Sequence, residues 1–578
     1  MRKVMKNTLL NFSLDRDVFV SKLNQTIPEI MEKAMIPGLS IAVIRDGKLF
    51  SGNGFGVINA DTGALVTSET VFEAASLSKP IFTFAVMKMV DRGDFDLDRP
   101  LVEYASDGYI EEVFLKEKIS DVRIKQITAR IVLSHKSGFP NWRGHDPLTV
   151  QFEPGEKFQY SGEGFGYLQK IIEKITGLSL EEFARKEVFE PLGMNHSSYT
   201  WPVDNKHVAA FPHDILMDVG EKRIPTTSHA ASTLHTTAID YAKFVMAVIH
   251  HTEVQGSTIA EMLSPQMIVD PEESKDIAWG LGVGLQQTKD GRSFWHWGDN
   301  RNMKCFFIAF PDQKAGVVYF TNSVYGLTVR KEIVQLVMGG DHPIMDSVLL
   351  RNYGELDSLW MGFIRALVTN GVDTALEHFR HLSNTYPASD IMPEFLLNRI
   401  GLDYLSKKKY FNAIKIFQLN AETYPDSDKT AYLKLYKITS QGKLTMDEQF
   451  LGSIPILPVK SVVETAKFFE EKLGFTIKIF WENPSYGVVE RGNAVVEIGE
   501  RRKEHAGSGV CIIQVENADI IYEEWKSKEI EFVGDFDDRD YGSKDFRIRD
   551  NNGNMLIISH ALENNKELLQ KGNIANKS

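Results

Sequence analysis

Strand-like stretches stand at both ends of residues 1–345 and are absent from the middle, and this arrangement constrains the fold more than any other feature. Residues 39–63, LSIAVIRDGKLFSGNGFGVINADTG, place apolar runs on either side of Asp46-Gly47, where glycine tolerates the dihedrals of a tight hairpin turn. Sheet patterning returns in WGLGVGLQ (279–286), KCFFIAF (304–310) and AGVVYFTNS (315–323). Between them the pattern is helical or irregular. In FGYLQKIIEKITG (165–177), Leu168, Ile171, Ile172 and Ile175 supply an apolar face and Gly177 a stop. An antiparallel sheet assembled from both ends, packed against an inserted helical cluster, satisfies this pattern.

Beyond residue 345 the periodicity changes twice, and 578 residues are too many for one hydrophobic core. Residues 346–453 read as helical and contain an internal echo. ALEHFRHLSNTYPASD (375–390) matches AIKIFQLNAETYPDSD (413–428) at an offset of 38, with Ala375 over Ala413, Phe379 over Phe417 and Tyr386-Pro387 over Tyr424-Pro425. A small residue, an aromatic four positions on and a proline stop suit paired helices, and the segment resembles two degenerate tetratricopeptide-like units, read first as a linker and second as a peptide-binding surface. Residues 454–562 repeat an order of strand, helix and several strands, so two similar halves could set helices behind curved sheets and leave a cleft in front. Residues 563–578 read as a tail. The expected fold class is α/β and multidomain: antiparallel sheet with helical cluster, helical linker, and a C-terminal paired βαβββ domain.

Composition excludes little else. A formal charge of −13 argues against nucleic acid as a partner. The two cysteines, Cys305 and Cys511, fall in different regions and form no disulfide framework. The first residues carry Arg2, Lys3 and Lys6, but the apolar stretch that follows is short, broken by Asn11 and lacks a small-residue cleavage site, which favours a cytoplasmic protein. No apolar run is long enough to span a membrane.

The chemistry concentrates in three short motifs. In VFEAASLSKPIFTFAVMKMVDRG, Lys79 follows Ser76 by three residues, so a helix starting there sets both on one face and the apolar run buries the lysine with it. A lysine shielded from water loses its proton more readily and can serve as a general base for the serine hydroxyl. Alone, a Ser-x-x-Lys pair is ordinary solvated surface. The second motif, Tyr160-Ser161-Gly162, offers a tyrosine hydroxyl for proton transfer. The third, His296-Trp297-Gly298-Asp299, offers a glycine that lets substrate approach a strand edge and a histidine that could donate a hydrogen bond or hold charge near a substrate carboxylate.

In this order these motifs resemble the class C beta-lactamase, D-alanyl-D-alanine peptidase and esterase family across residues 20 to 345, supported by LSHKSGFPNW (133–142) near the expected rim. The resemblance implies that Ser76 attacks an ester or amide carbonyl, that Lys79 and Tyr160 move protons, and that the backbone N–H groups of Ser76 and Asp299 hold the oxyanion until water releases the acyl group. Two departures bear on substrate. The family's beta-lactamase pattern has Asn where this chain has Gly162 and Lys where it has His296, which favours small esters or D-amino-acid amides and peptides over beta-lactams. Beta-lactam hydrolysis and a non-catalytic penicillin-binding sensor are the alternatives.

The third region resembles the bleomycin-resistance branch of the vicinal-oxygen-chelate superfamily, through ILPVKSVVETAKFFEEKLGF (456–475), GVVERGNAVVEIG (487–499) and FRIRDNNGNMLIIS (546–559). Metal-dependent members carry donors at positions corresponding to Ile454, Val510 and Ile557, where apolar side chains cannot ligate, and His505 and His560 do not repair the set. The resemblance thus implies a metal-free site for a second small ligand, with Trp481, Tyr486, Phe536 and Tyr541 as candidate cleft residues, no cofactor, and a homodimer joined through residues 454–562. A cationic antibiotic-like ligand is one candidate occupant.

Overall fold

The computed structural model describes residues 14–424, apart from 107, 145 and 202–207, and residues 456–561, apart from 483–484, 492–493, 501–505, 516, 529 and 539–542. Two compact units divide between Lys437 and Ile438.

In the first unit a nine-stranded sheet joins β1 (Gly38–Arg45), β2 (Lys48–Asn59) and the short β3 (Ala64–Leu65) to six strands from the far end of the sequence pattern. Two short strands, β4 (Phe72–Glu73) and β5 (His235–Thr236), pair apart from it. The six are β6 (Met267–Asp270), β7 (Ser274–Trp279), β8 (Gly284–Thr288), β9 (Gly291–Asp299), β10 (Lys304–Phe310) and β11 (Ala315–Thr321). The order β3-β2-β1-β11-β10-β9-β8-β7-β6 seats β1 against β11, antiparallel, with Ile41 opposite Tyr319. The ends of the region thus meet in mid-sheet.

Both faces are covered, which is why the central strands read as unbroken apolar runs. Alternate residues serve two cores. Cys305 and Phe307 of β10 pack with the inserted helices, including Ser78–Asp91 and Ala238–His250. Phe306 and Ile308 pack with the helix Arg16–Ala34, the helix Arg330–Val337 and the helices that follow residue 358.

Those following helices form two pairs, Leu359–Asn370 with Val372–Leu382 and Glu394–Ser406 with Tyr410–Thr423. The echoed Ala375, Phe379, Ala413 and Phe417 are all buried. Gly401 permits the second pair's close approach, since a Cβ there would sit 2.2 Å from the Phe417 ring. The pairs share the hydrophobic core on the sheet's outer face, with the Trp360 ring 6.2 Å from that of Tyr325. Arg330, fully buried, donates to the carbonyls of Leu327, Met345 and Gly354 and so fixes the chain between sheet and helices.

The second unit contains two halves, each a sheet with one helix packed on it. Strand Ile456–Val459 lies parallel to Ala494–Glu500, next to Ser485–Arg491 and Thr476–Glu482, with helix Val462–Glu471 packed on the sheet. Strand Val510–Gln514 lies parallel to Met555–Ala561, next to Ser543–Arg549, with helix Ala518–Lys526 behind.

Candidate active site

Ser76 sits in a single 3-10 turn, Ala75–Leu77, that leads directly into the helix Ser78–Asp91. Ala75 is held at φ 47°, a strained value for a residue with a side chain, and its surroundings impose it. The Ser78 hydroxyl donates to Ala75 O at 2.5 Å and accepts from Leu234 N at 3.0 Å, while Tyr199 and Tyr241 donate to the carbonyls of Ser78 and Leu77. The turn that carries Ser76 is thereby fixed from three sides.

Lys79 is fully buried, and its Nζ donates to Ser76 Oγ at 3.0 Å and to Ala231 O at 3.0 Å. Among the described residues no carboxylate forms an ion pair with it, and burial holds its pKa well below the ordinary lysine value. A neutral amine in contact with a serine hydroxyl is a competent proton acceptor.

The Tyr160 ring lies 4.7 Å from Lys79 Nζ and 4.9 Å from the Trp297 ring. Its hydroxyl is buried, which raises its pKa and keeps it protonated; Ser76 comes near enough to offset this slightly, yet no protein atom among the described residues meets hydrogen-bond geometry. The phenol is therefore a proton donor in waiting. His135 packs 4.3 Å from the Tyr160 ring and accepts from Ser161 N at 3.0 Å, which fixes the tyrosine turn from behind.

His296 departs from expectation. It is fully buried, and burial first, then Lys79, lowers its pKa to about 3, so the ring is neutral. Its Nδ1 lies 2.7 Å from Trp297 O, and a carbonyl can only accept, so Nδ1 carries the proton and Nε2 is an acceptor with no partner among the described residues. It neither carries charge nor offers a donor to a substrate carboxylate. Gly298 also departs from expectation. A Cβ there would meet Cys305 Sγ at 2.3 Å and Ala74 O at 2.6 Å, so the glycine makes room for the turn that carries Ser76 rather than for a substrate. The strand edge is open nonetheless, because pairing of β9 with β8 stops at Trp295 while pairing with β10 runs on to Asp299. The Asp299 carboxylate is engaged by Lys304 Nζ and, at 2.8 Å, by Arg301 N.

Gly162 starts the helix Gly162–Thr176, capped by Ser161. A Cβ at Gly162 would meet Trp142 Cη2 at 2.8 Å and Asn141 O at 2.9 Å. A cavity of about 990 Å³ opens over Ser76, bounded by Trp142, Tyr160, Arg223, Trp297 and Tyr353. His296, Gly162 and Gly298 lie outside its lining, whereas Asp299 belongs to it. Several of these residues gave no signal in the sequence: Tyr353, whose hydroxyl accepts from Trp297 Nε1 at 3.1 Å, and Arg399, which bonds Asn302 Oδ1 at 2.5 Å, come from beyond the sheet. Only their place in the fold brings them to the rim.

In the second unit, Phe536 does not face a cleft. It stacks on Tyr522 at 4.6 Å and meets Phe546 at 5.4 Å, within the aromatic cluster on the helix side of the sheet. Trp481 and Tyr486 are direct cross-strand backbone partners, and Tyr541, Ile454 and His505 lie outside the described residues. Val510 is exposed, Ile557 is half-buried, and His560 Nδ1 accepts from Ala518 N at 3.0 Å, supporting a helix start.

The beta-lactamase family profile matches residues 23–338, and the glyoxalase/bleomycin resistance protein/dioxygenase superfamily profile matches residues 451–558. "Protein flp" of Staphylococcus aureus strain N315 is 23% identical over 327 residues, 52% of this chain and 62% of that protein, so the chain spans about three fifths of that relative. "Penicillin-binding protein 4*" of Bacillus subtilis is 23% identical over 337 residues, covering 52% of this chain and 71% of its own. The octameric penicillin-binding protein homologue from Pyrococcus abyssi aligns with a TM-score of 0.47 at 24% identity, over 60% of this chain and 81% of its own. The matched segment occupies more than half of the sequence: this chain belongs to the beta-lactamase family, and carries a glyoxalase/bleomycin-resistance domain after it.

Proposed function

We propose that residues 1–345 form a serine hydrolase that works through an acyl-enzyme on small esters or on D-amino-acid amides and peptides. The observation that carries this reading is the 3.0 Å contact from a buried, unpaired Lys79 to the Ser76 hydroxyl. Lys79 takes the hydroxyl proton as Ser76 attacks the carbonyl carbon. The backbone N–H groups of Ser76 and Asp299 stabilise the oxyanion, and protonated Tyr160 supplies the leaving group with its proton. Water then releases the acyl group by the reverse relay. His296 acts as a neutral acceptor facing this relay. Gly162 and Gly298 serve the site by letting neighbouring segments close in.

Beta-lactams rank below these substrates, because the strand motif supplies no cation for a carboxylate. Incubation with activated esters, D-amino-acid amides and beta-lactams, followed by mass spectrometry, tests the proposal directly. An acyl adduct on Ser76 with the first two supports it; turnover of a cephalosporin equal to or better than theirs overturns the ranking.

For residues 454–562 the reading is a metal-free module for a second small ligand, within a homodimer joined through this region. Exposed Val510 and Ile512 on one strand face support an apolar contact surface there. Stoichiometric zinc or nickel in the purified protein would exclude the metal-free reading, and a monomer by light scattering over a wide concentration range would exclude the dimer.

A further inference from the structure

We infer that the helix Glu394–Ser406 is a positioning element of the active site, with Arg399 holding the turn that follows Asp299 and Lys407 the loop beside it; this rests on the hydrolase reading above. The helix lies outside residues 23–338, the segment that the beta-lactamase family profile matches, whereas both loops lie within it. The turn between β9 and β10 contributes Asn300, Arg301 and Asn302 to the lining of the cavity over Ser76, and the loop at 212–221 contributes Pro212 and Glu221. The two adjoin, since a Cβ on Gly220 would sit 4.0 Å from Asn302 Nδ2.

One cation at the helix holds each of them. Arg399 Nη2 donates to Asn302 Oδ1 at 2.5 Å, while on the other side of the same turn Asn300 Nδ2 donates to Glu73 Oε2 at 2.8 Å and to Ser232 O at 3.2 Å. Between these anchors Arg301 is kept at φ 60°, a strained value that persists only where the surroundings impose it. The turn begins at Asp299, whose backbone N–H is the second oxyanion donor, so displacing the turn displaces that donor. Lys407, the residue that ends the helix, bridges Asp214 and Asp218 at 2.5 Å each. Asp214 Oδ1 accepts in turn from the N–H groups of Leu216 and Asp218 at 2.8 and 3.1 Å, which folds the loop around the lysine's partner. The helix itself is anchored, because Leu397, Ile400 and Tyr404 are buried in the core on the sheet's outer face. A surface turn tied to an anchored helix keeps its donor in place, and a misplacement of about 1 Å at a reacting centre can cost on the order of a hundredfold in rate.

The test measures acylation of Ser76 and turnover of p-nitrophenyl butyrate by the full chain and its variants, each shown by its melting curve to be folded at the assay temperature. Arg399→Met should lower kcat roughly tenfold with KM little changed, a part of the roughly hundredfold to thousandfold lost when an oxyanion donor is removed outright. Asn302→Ala should match it, and the double variant should be no slower than either single one, because both changes break one contact. Arg399→Lys, which can still donate to Asn302, should recover most of the rate. Lys407→Met should act more on KM, raising it about fivefold, the scale of one lost polar contact. A kcat within about twofold of the intact chain in both Arg399→Met and Asn302→Ala overturns the proposal, as does a fall in kcat that merely tracks the fraction unfolded. If Arg399→Met does not fold, Asn302→Ala decides alone by the same limit. If the intact chain carries no acyl group on Ser76 after incubation with activated esters, the hydrolase reading fails and this proposal with it; an acylated intact chain with unaffected variants removes only the proposal.

Discussion

Two lysines are buried within the same site, and their surroundings assign them opposite chemistry. Lys79, at the floor of the cleft, hydrogen-bonds among the described residues only to a hydroxyl and a carbonyl. Lys304, the first residue of β10, meets the Asp299 carboxylate and Arg301 O, and lies 5.6 Å from the Tyr353 ring. Burial lowers the pKa of both, but at Lys304 the carboxylate pulls it back up. A buried amine with a partner keeps its proton and holds structure; one without a partner sheds it and can act as a base. The lesson is that burial alone does not make a catalytic lysine. The absence of a nearby anion does.

Lys79→Arg should break this contrast most sharply. A guanidinium stays charged at any accessible pH, so turnover should fall by several powers of ten, as it should for Ser76→Ala, with the fold of the serine variant retained by circular dichroism. Tyr160→Phe should come next, costing about a hundredfold in kcat. Its melting temperature should hold or rise, because the lost hydroxyl is buried without a partner. Lys304→Met should act on stability instead: stranding a carboxylate that is one third exposed should cost roughly 2 kcal/mol, seen as a lowered melting temperature, while Lys304→Met with Asp299→Asn should recover part of the loss.

The smallest effect is a pH dependence. Lys79 binds its proton more weakly in the folded protein than in the unfolded chain, where its pKa is about 10.4. Between those values the unfolded chain holds more protons, so stability rises with pH across that window. Lys79→Met removes the dependence: its melting temperature should exceed that of the unchanged protein most at the acid end and converge with it toward about pH 10. The acid limb of kcat/KM should follow Lys79 as well, and His296→Gln should leave its position unmoved, since the His296 ring is already neutral down to about 3.

The three motifs and the two-ended sheet were legible because they rest on local spacing and periodicity. Ser76 and Lys79 share a helical face by arithmetic, and β1 and β10 announce themselves through apolar runs. Other features depend on contacts across the fold. The stretch FWHW at 294–297 is buried throughout, so no alternation indicates that His296 points inward while Trp297 reaches the cavity. Gly298 looks like a place for a ligand until Cys305 and Ala74 are brought against it. Phe536 carries no mark of its sheet face. Tyr353 and Arg399 sit in a segment whose pattern speaks only of helix pairing.

That last placement bears on how the protein is made. Ribosomes release the chain from its N-terminus, and a domain can fold as it emerges. Ser76, Lys79, Tyr160 and the whole of the sheet precede residue 322, so the reactive floor is complete early. The rim waits for Tyr353 and Arg399. During synthesis the turn that carries Ser76 emerges before the last residues of the rim, and a fragment ending near residue 345 would lack both Tyr353 and the helices that cover the sheet's outer face.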